Sequence, residues 1–334
     1  MSEAGYLPYK EQTRHYFDRP DEGPLNDILD VPAAWYGREL SKTDDWIVHF
    51  TDEDIAEIEA AFDVAMQSGK ETRDLLPSDF PLPNLSRKMD VWREEIKTGR
   101  GFQVLRGIPV EKWSQEKAET FFWCFGLHLG RPGGQNQSGD LLGHVTDLGG
   151  EKAEDVLSRL YKTAANIDYH CDGADVVGLL CLKKAKSGGR SRIVSSVTVF
   201  NELMKERPDL AARLFEPVKL DIRNENSKAG RKYIEVTPCK YGRGTLHTFY
   251  HADYFRSVQR HEEVPPFTRE EQEMFDLYET IAAKPDLLMD MDLEPGDIQL
   301  LSNHTNLHAR TEYEDHEDAA KKRHLLRLWL SLMD

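Results

Sequence analysis

The sequence predicts a mainly β fold, an antiparallel jelly roll with flanking helices. The first observation is a set of short apolar runs in the second half: Val176–Leu182, Ile193–Phe200, Tyr233–Thr237, Ile298–Leu301 and Leu325–Leu330. Each has the length and the branched or aromatic content of a strand. The second is the punctuation between them, for example Lys186-Ser-Gly-Gly-Arg190 and Glu294-Pro-Gly-Asp297, which reads as tight turns. The third is what is missing. Strands and helices do not alternate regularly, so a parallel βαβ sheet is disfavoured and a jelly roll is the better fit.

The elements follow in chain order. Residues 1 to about 50 are rich in Pro, Asp and aromatics without clear periodicity. They read as an irregular arm packed on the body through Trp35, Tyr36 and Trp46. A helix follows: Thr51 can cap it with Asp54 as partner, and Ile55, Ile58, Phe62 and Ala65 form one apolar stripe. A Pro-rich linker, Leu76–Asn84, leads to a second helix around Met89–Ile96. Gly101–Gly107 reads as a strand closed by glycines, Ser114–Phe125 as a third helix, and Gly130–Gly139 as a loop. Within the strand-rich half, helices are expected near Asp209–Leu214 and from Thr268, where Glu271 completes a capping box and Met274, Tyr278 and Ile281 line one face. The division this implies is an N-terminal arm with helices over residues 1–100 and a β domain over 101–334, forming one structural unit.

Bulk properties narrow the function. With 334 residues, 39% of them hydrophobic and 31% charged, the chain can bury a sizeable core. A formal charge of −16 sets its field against phosphate backbones, so nucleic acid is not an expected partner. Phe121–Leu127 and Val176–Leu182 are too short to span a bilayer, and the polar start of the chain has no signal-peptide core. The four cysteines are scattered with no CxxC pair, which argues against a disulfide framework or a zinc site. A cytoplasmic protein with no membrane partner is expected, and a homo-oligomer is left open.

The chemistry sits in His170-Cys171-Asp172. On an extended segment, residues two apart point to one face, so an imidazole and a carboxylate could bind one ion. A third donor would come from Asn303-His304-Thr-Asn-Leu-His308, where spacing alone does not choose between His304 and His308. Two imidazoles and one carboxylate hold one face of iron(II) and leave the other open. A lone His-x-Asp has a large chance background, but Arg323 and Arg327 change the weighting. Both lie in Arg323-His-Leu-Leu-Arg327, read as sharing one face of a strand. Guanidiniums pointing into a barrel need anionic partners.

The segments GFQVLRGIPV, YHCDGADVVGLLCL, SGGRSRIVSSVTVFNEL, EPGDIQLLSNHTNLHAR and RHLLRLWLSL occur in this order. On them the chain resembles the TauD/TfdA family of Fe(II)- and 2-oxoglutarate-dependent dioxygenases, from about Gly101 to Leu330 and more weakly before. The resemblance implies a double-stranded β-helix core with His170, Asp172 and His308 as iron ligands. His308 is preferred to His304 by its distance from Asn303, and His304 is assigned a supporting place beside a ligand. The resemblance also implies that Arg323 and Ser191 bind 2-oxoglutarate, and that Arg327 and Asn166 face the substrate. Two departures stand out: Cys171 replaces the usual Thr, and Thr311–Lys322 lengthens the path from His308 to Arg323.

The activity so implied is oxidation of a C–H bond in a small anionic substrate (an amino acid, carboxylate or sulfonate) by O2. Hydroxylation is the default outcome, with desaturation or cyclisation as variants, and succinate and CO2 are released. Asp172 argues against a halogenase, which needs that ligand position open. The rivals are a non-catalytic jelly-roll binding protein and an iron oxygenase that does not use 2-oxoglutarate.

Overall fold

Two antiparallel layers form the core of a computed structural model of the chain, which describes residues 5–147, 149, 160–223 and 230–333. The first stretch is not irregular throughout. It contains α1 (Tyr9–Phe17) and α2 (Gly37–Leu40), and then β1 (Ile47–His49). α1 carries a polar sequence and buries only Gln12 and Tyr16, so it shows no apolar stripe. α3 (Asp52–Ser68) has the expected capping box between Thr51 and Asp54, and α4 (Leu85–Lys97) buries Met89, Trp92 and Ile96.

The body continues with β2 (Phe102–Arg106), α5 (Gln115–Leu129), β3 (Arg131–Pro132), β4 (Gly143–Val145), β5 (Ile167–His170), β6 (Val176–Lys183), β7 (Ser187–Gly188) and β8 (Ser191–Ser195). The run expected as one strand over Ile193–Phe200 breaks at Ser195. Its hydroxyl accepts the Thr198 N–H and caps α6 (Ser196–Glu206), so Ser196–Phe200 is helical. Next come α7 (Pro208–Arg213), β9 (Val218–Asp221), β10 (Tyr233–Val236), β11 (Cys239–Gly242), β12 (Thr245–Thr248), α8 (Ala252–Ser257) and α9 (Arg269–Ala282). α9 opens on the expected Thr268/Glu271 box. The chain closes with β13 (Met289–Met291), β14 (Ile298–Ser302), β15 (Asn306–Arg310), β16 (Tyr313–Glu314) and β17 (His324–Ser331).

The major sheet runs β1-β2-β14-β6-β17-β3, with β4 also on β17, and the minor sheet runs β13-β8-β15-β5. β1 joins in parallel with β2, so the N-terminal segment supplies a strand to the major sheet. Side-chain alternation sorts the layers. Leu326, Leu328 and Leu330 on β17, with Ile298 and Leu300 on β14, pack against α3, α4 and α5. Leu325 and Trp329 face inward with Val177, Ile193 and Leu301, between the sheets. Val194 and Leu307 on the outer face of the minor sheet meet α6 and α9. Each fully buried leucine is worth about 2 kcal/mol. A one-residue slip of β17 would drive Arg327 into the helix layer, so the leucine stripe fixes where the arginine points.

Candidate active site

His170 ends β5 directly opposite His308 on β15, which brings the two rings to 4.1 Å between centres. Asp172 follows in a turn stapled from the β14–β15 connection. Its N–H donates to Asn303 Oδ1 (3.0 Å), and Asn303 Nδ2 donates to the Ala174 carbonyl (2.8 Å). One donor atom from each of His170, Asp172 and His308 lies within 4.8 Å of the others. His170 Nε2 is 4.0 Å from Asp172 Oδ1, and His308 Nε2 is 3.6 Å from Asp172 Oδ2. The Asp168 carbonyl takes His170 Nδ1 at 2.9 Å, which leaves Nε2 to face inward as a lone-pair donor. Two nitrogens and one carboxylate oxygen, on neighbouring corners of one opening, fit iron(II) with the opposite face free.

The electrostatics favour a metal-ready state. Burial, with His308 alongside, pushes His170 down to about 3, so its ring is neutral. Burial opposes ionisation of Asp172, but Arg327, and then the two histidines, outweigh it and hold the carboxyl well below its ordinary range. Trp329 Nε1 donates to Asp172 Oδ2 at 3.0 Å and fixes its orientation. Cys171 turns away: its thiol lies 3.7 Å from the Asn306 carbonyl, buried among the residues of the outer layer.

A cavity of about 190 Å³ opens on His170 and Asp172 of the triad. Arg327 lines it, with its guanidinium 4.8 Å from the Tyr161 ring centre and 5.3 Å from that of Trp329. Arg327 Nε donates to Gln135 Oε1 (2.8 Å), and Gln135 in turn donates to the Arg327 carbonyl. The walls come from α1 (Tyr9, Thr13, Phe17), the β9–β10 hairpin and the entry to α8.

Ser191 and Arg323 lie away from this cavity, toward the other end of the inter-sheet space. Ser191 is opposite Arg310 on β15, and its hydroxyl donates to Gln299 Oε1 at 2.9 Å. Arg323 precedes β17, ahead of a bulge at His324/Leu325, so it does not share surroundings with Arg327. It packs on Tyr313 and against Gly189. Gly188 and Gly189 both have positive φ, and a Cβ on Gly189 would sit 3.0 Å from Arg323 Nε, so the Gly-Gly turn makes room for the guanidinium. The Thr311–Lys322 segment does not simply loop out. Tyr313 is buried beneath the arginines and Asp315 takes the Arg323 N–H.

Two expected site residues lie elsewhere. Asn166 is exposed, donates to Asp168 and does not line the cavity, because it precedes β5 and points to solvent. His304 is buried, but its Nε2 meets Asp175 Oδ1 at 2.9 Å and its ring stacks on Tyr16. The supporting contact to Asp172 comes instead from its neighbour Asn303. Gln135 lines the cavity, whereas Trp35 and Trp46 bond to main-chain carbonyls outside it.

Several residues at the site escaped the sequence reading. His251 bridges His170 and stacks on Tyr254 at 3.8 Å, and it begins a second His-x-Asp, His251-Ala252-Asp253, which was a legible signal. Arg310 lies two residues beyond His308 on one strand, so shared-face spacing could have found it.

The model of the taurine catabolism dioxygenase TauD, TfdA family matches residues 69–329. FR-33289 synthase of Streptomyces rubellomurinus (strain ATCC 31215) is 28% identical over 302 residues, covering 90% of this chain and 89% of that protein. The taurine hydroxylase-like protein SAT17 of Stachybotrys chartarum (strain CBS 109288 / IBT 7711) is 29% identical over 336 residues, covering 98% and 84%. Among solved structures, asparagine oxygenase with Fe(II), 2S,3S-3-hydroxyasparagine and succinate superposes with a TM-score of 0.67 at 17% identity, over 86% of this chain and 93% of that one. The non-heme iron oxygenase OrfP with Fe and alpha-ketoglutaric acid gives 0.60 at 16%, over 85% and 94%. These structures share the jelly-roll core, and the family match takes in both sheets apart from β1, with all three residues of the candidate iron triad: the chain belongs to the TauD/TfdA family of dioxygenases.

Proposed function

We propose that the protein is an Fe(II)- and 2-oxoglutarate-dependent oxygenase that hydroxylates a C–H bond of a small anionic substrate of amino-acid size. The observation that carries this is the convergence of His170, Asp172 and His308 beside a cavity lined by His170, Asp172 and Arg327. When bound, iron(II) and 2-oxoglutarate let O2 be consumed with release of succinate and CO2 while a C–H bond becomes C–OH.

The protein's own part is position and exclusion of water. The three ligand side chains hold the metal from one side. Trp329 and Asn303 keep Asp172 in place. Arg323 binds the distal carboxylate of 2-oxoglutarate, with Ser191 beside it. Arg327, steadied by Gln135 and flanked by two aromatic rings, would bind the anionic group of the substrate beside the triad. A cavity of about 190 Å³ matches a substrate the size of an amino acid better than a peptide or polymer.

The reading is tested by anaerobic addition of Fe(II) and 2-oxoglutarate, followed by succinate analysis under air with a panel of amino acids, carboxylates and sulfonates. A visible charge-transfer band and substrate-stimulated succinate are expected, both lost in Asp172→Ala. Absence of both in the wild type sinks the proposal. Arg323→Ala should raise the KM for 2-oxoglutarate, and turnover indifferent to that cosubstrate would favour a different electron source.

A further inference from the structure

Between the sheets, Arg310 and Arg323 lie against one ring. Their guanidinium carbons are 4.9 and 5.2 Å from the centre of Tyr313. Both arginines are 6% exposed, and neither forms an ion pair with a carboxylate among the described residues. Arg323 donates only a long hydrogen bond, 3.4 Å, to the Gly189 carbonyl, while Asp315 takes its backbone N–H. Arg310 uses Nη2 alone, on the carbonyls of Thr163 (2.8 Å), Ala165 and Leu160 (3.4 Å). Arg310 Nε and Nη1, Arg323 Nη1 and the Tyr313 hydroxyl are buried with no partner.

Two like charges buried side by side, with donors unspent, are costly unless an anion joins them. The strain shows in their acidity: burial, and then Arg323, pushes Arg310 down to about 10, and burial lowers Arg323 as well. The pair is linked to the triad through β15, which carries both Arg310 and His308. Arg310 is two residues from His308 on the same face of β15, a rise of about 7 Å. That is the reach from the metal-chelating end of a five-carbon diacid to its far carboxylate.

We propose that Arg310 is a further cosubstrate-binding residue, and that Arg310, Arg323 and the Tyr313 hydroxyl form a three-donor cradle for the distal carboxylate of 2-oxoglutarate. The inference rests on the reading that this protein uses 2-oxoglutarate. One guanidinium then does two things. Its free N–H groups meet the cosubstrate, while Nη2 holds the 160–165 segment that carries Tyr161, the aromatic wall beside Arg327.

The test separates the two ends of the cosubstrate. Oxalate chelates a metal as 2-oxoglutarate does but has no distal carboxylate. Binding of each to the Mn(II)-loaded protein is measured by calorimetry. In Arg310→Met the Kd of 2-oxoglutarate should rise about tenfold or more, the loss of a charged hydrogen bond, while the Kd of oxalate stays within about twofold. Unchanged 2-oxoglutarate binding overturns the cradle. Equal weakening of both ligands also overturns it and leaves Arg310 only a structural clamp on 160–165. A wild type that binds oxalate but shows no metal-dependent 2-oxoglutarate binding sinks the cosubstrate reading itself and the cradle with it. Should Arg310→Met fail to fold, Tyr313→Phe serves in its place: several-fold weaker 2-oxoglutarate with normal oxalate is expected, and wild-type binding of both overturns the proposal.

Discussion

Asp172 carries the densest set of constraints of any side chain at the triad. Its backbone is held by Asn303, one carboxylate oxygen accepts from Trp329, and Arg327 lies 3.9 Å from the same oxygen. Groups that orient a ligand commonly change metal affinity by about 10–100-fold when removed. Trp329→Phe keeps a smaller aromatic ring but deletes the N–H donor. Its Kd for Fe(II) or Mn(II), read by anaerobic titration, should rise by at least about tenfold, together with a loss of thermal stability from the smaller buried ring; an unchanged Kd would show that Arg327 alone positions the carboxylate. At this scale the sequence was most readable where spacing is local. His170 and Asp172 sit two apart, and strand periodicity put Arg327 and Trp329 on one face. It failed where an environment is assembled from distant segments. Nothing within the string Asn303-His304 says that the amide turns to Asp172 while the imidazole turns to Asp175.

The β9–β10 hairpin shows how one element becomes a wall of the cavity. Leu220, Ile222 and Ile234 line the pocket, and the hairpin is tied to the segment after α8 through Asp221. That carboxylate is fully buried and receives Arg260 (2.7 Å), Ser257 (3.0 Å) and the Arg223 N–H (2.9 Å), with His261 at 3.2 Å. Burial opposes its ionisation, but Arg260 and the other donors win and lower it to about 2. A carboxyl depressed on folding adds stability that is complete above its unfolded value near 4 and disappears as pH falls through the folded value. Asp221→Asn should therefore cost about 2 kcal/mol at pH 7 in urea unfolding, and the gap to wild type should close between about pH 4 and pH 2. A gap that persists at pH 2 would mean that the carboxylate charge is not what holds the hairpin. Element identity was legible where caps are local: Thr51/Asp54 and Thr268/Glu271 both form as the sequence predicts. Ser196–Phe200 was not, because a short apolar run fits strand or helix equally and the Ser195 cap decided between them.

Across the whole molecule, Asp175 joins parts of the chain that are remote in sequence. Its carboxylate meets His15 (2.8 Å) from α1, Arg19 just beyond that helix, His304 from the β14–β15 turn, and the Leu332 N–H beyond β17. Its carbonyl accepts the Asn303 N–H, the residue that steadies Asp172. Tyr16 adds hydroxyl bonds to Thr248 and Asn303 and stacks on His304. α1 is thereby fixed with Tyr9, Thr13 and Phe17 against the cavity. This explains why the first 50 residues looked structureless: α1 is stabilised almost entirely by contacts with residues more than a hundred positions away, which leave no periodic trace. It also makes one side chain answerable for both ends of the fold. Burial works against the Asp175 charge, but hydrogen bonds from His15 and His304, with Arg19, hold its carboxyl well below the ordinary range. Asp175→Asn leaves Arg19 facing a neutral amide, and breaking such a pair from one side costs about 3 kcal/mol. Urea unfolding should show that loss, and limited proteolysis should cut the variant first around α1. Because α1 walls the cavity while the triad lies beyond it, Kd for Mn(II) should change less than KM for the substrate. Wild-type protease resistance, or a metal affinity that falls as far as the stability, would show that α1 is held by its apolar contacts rather than by this carboxylate.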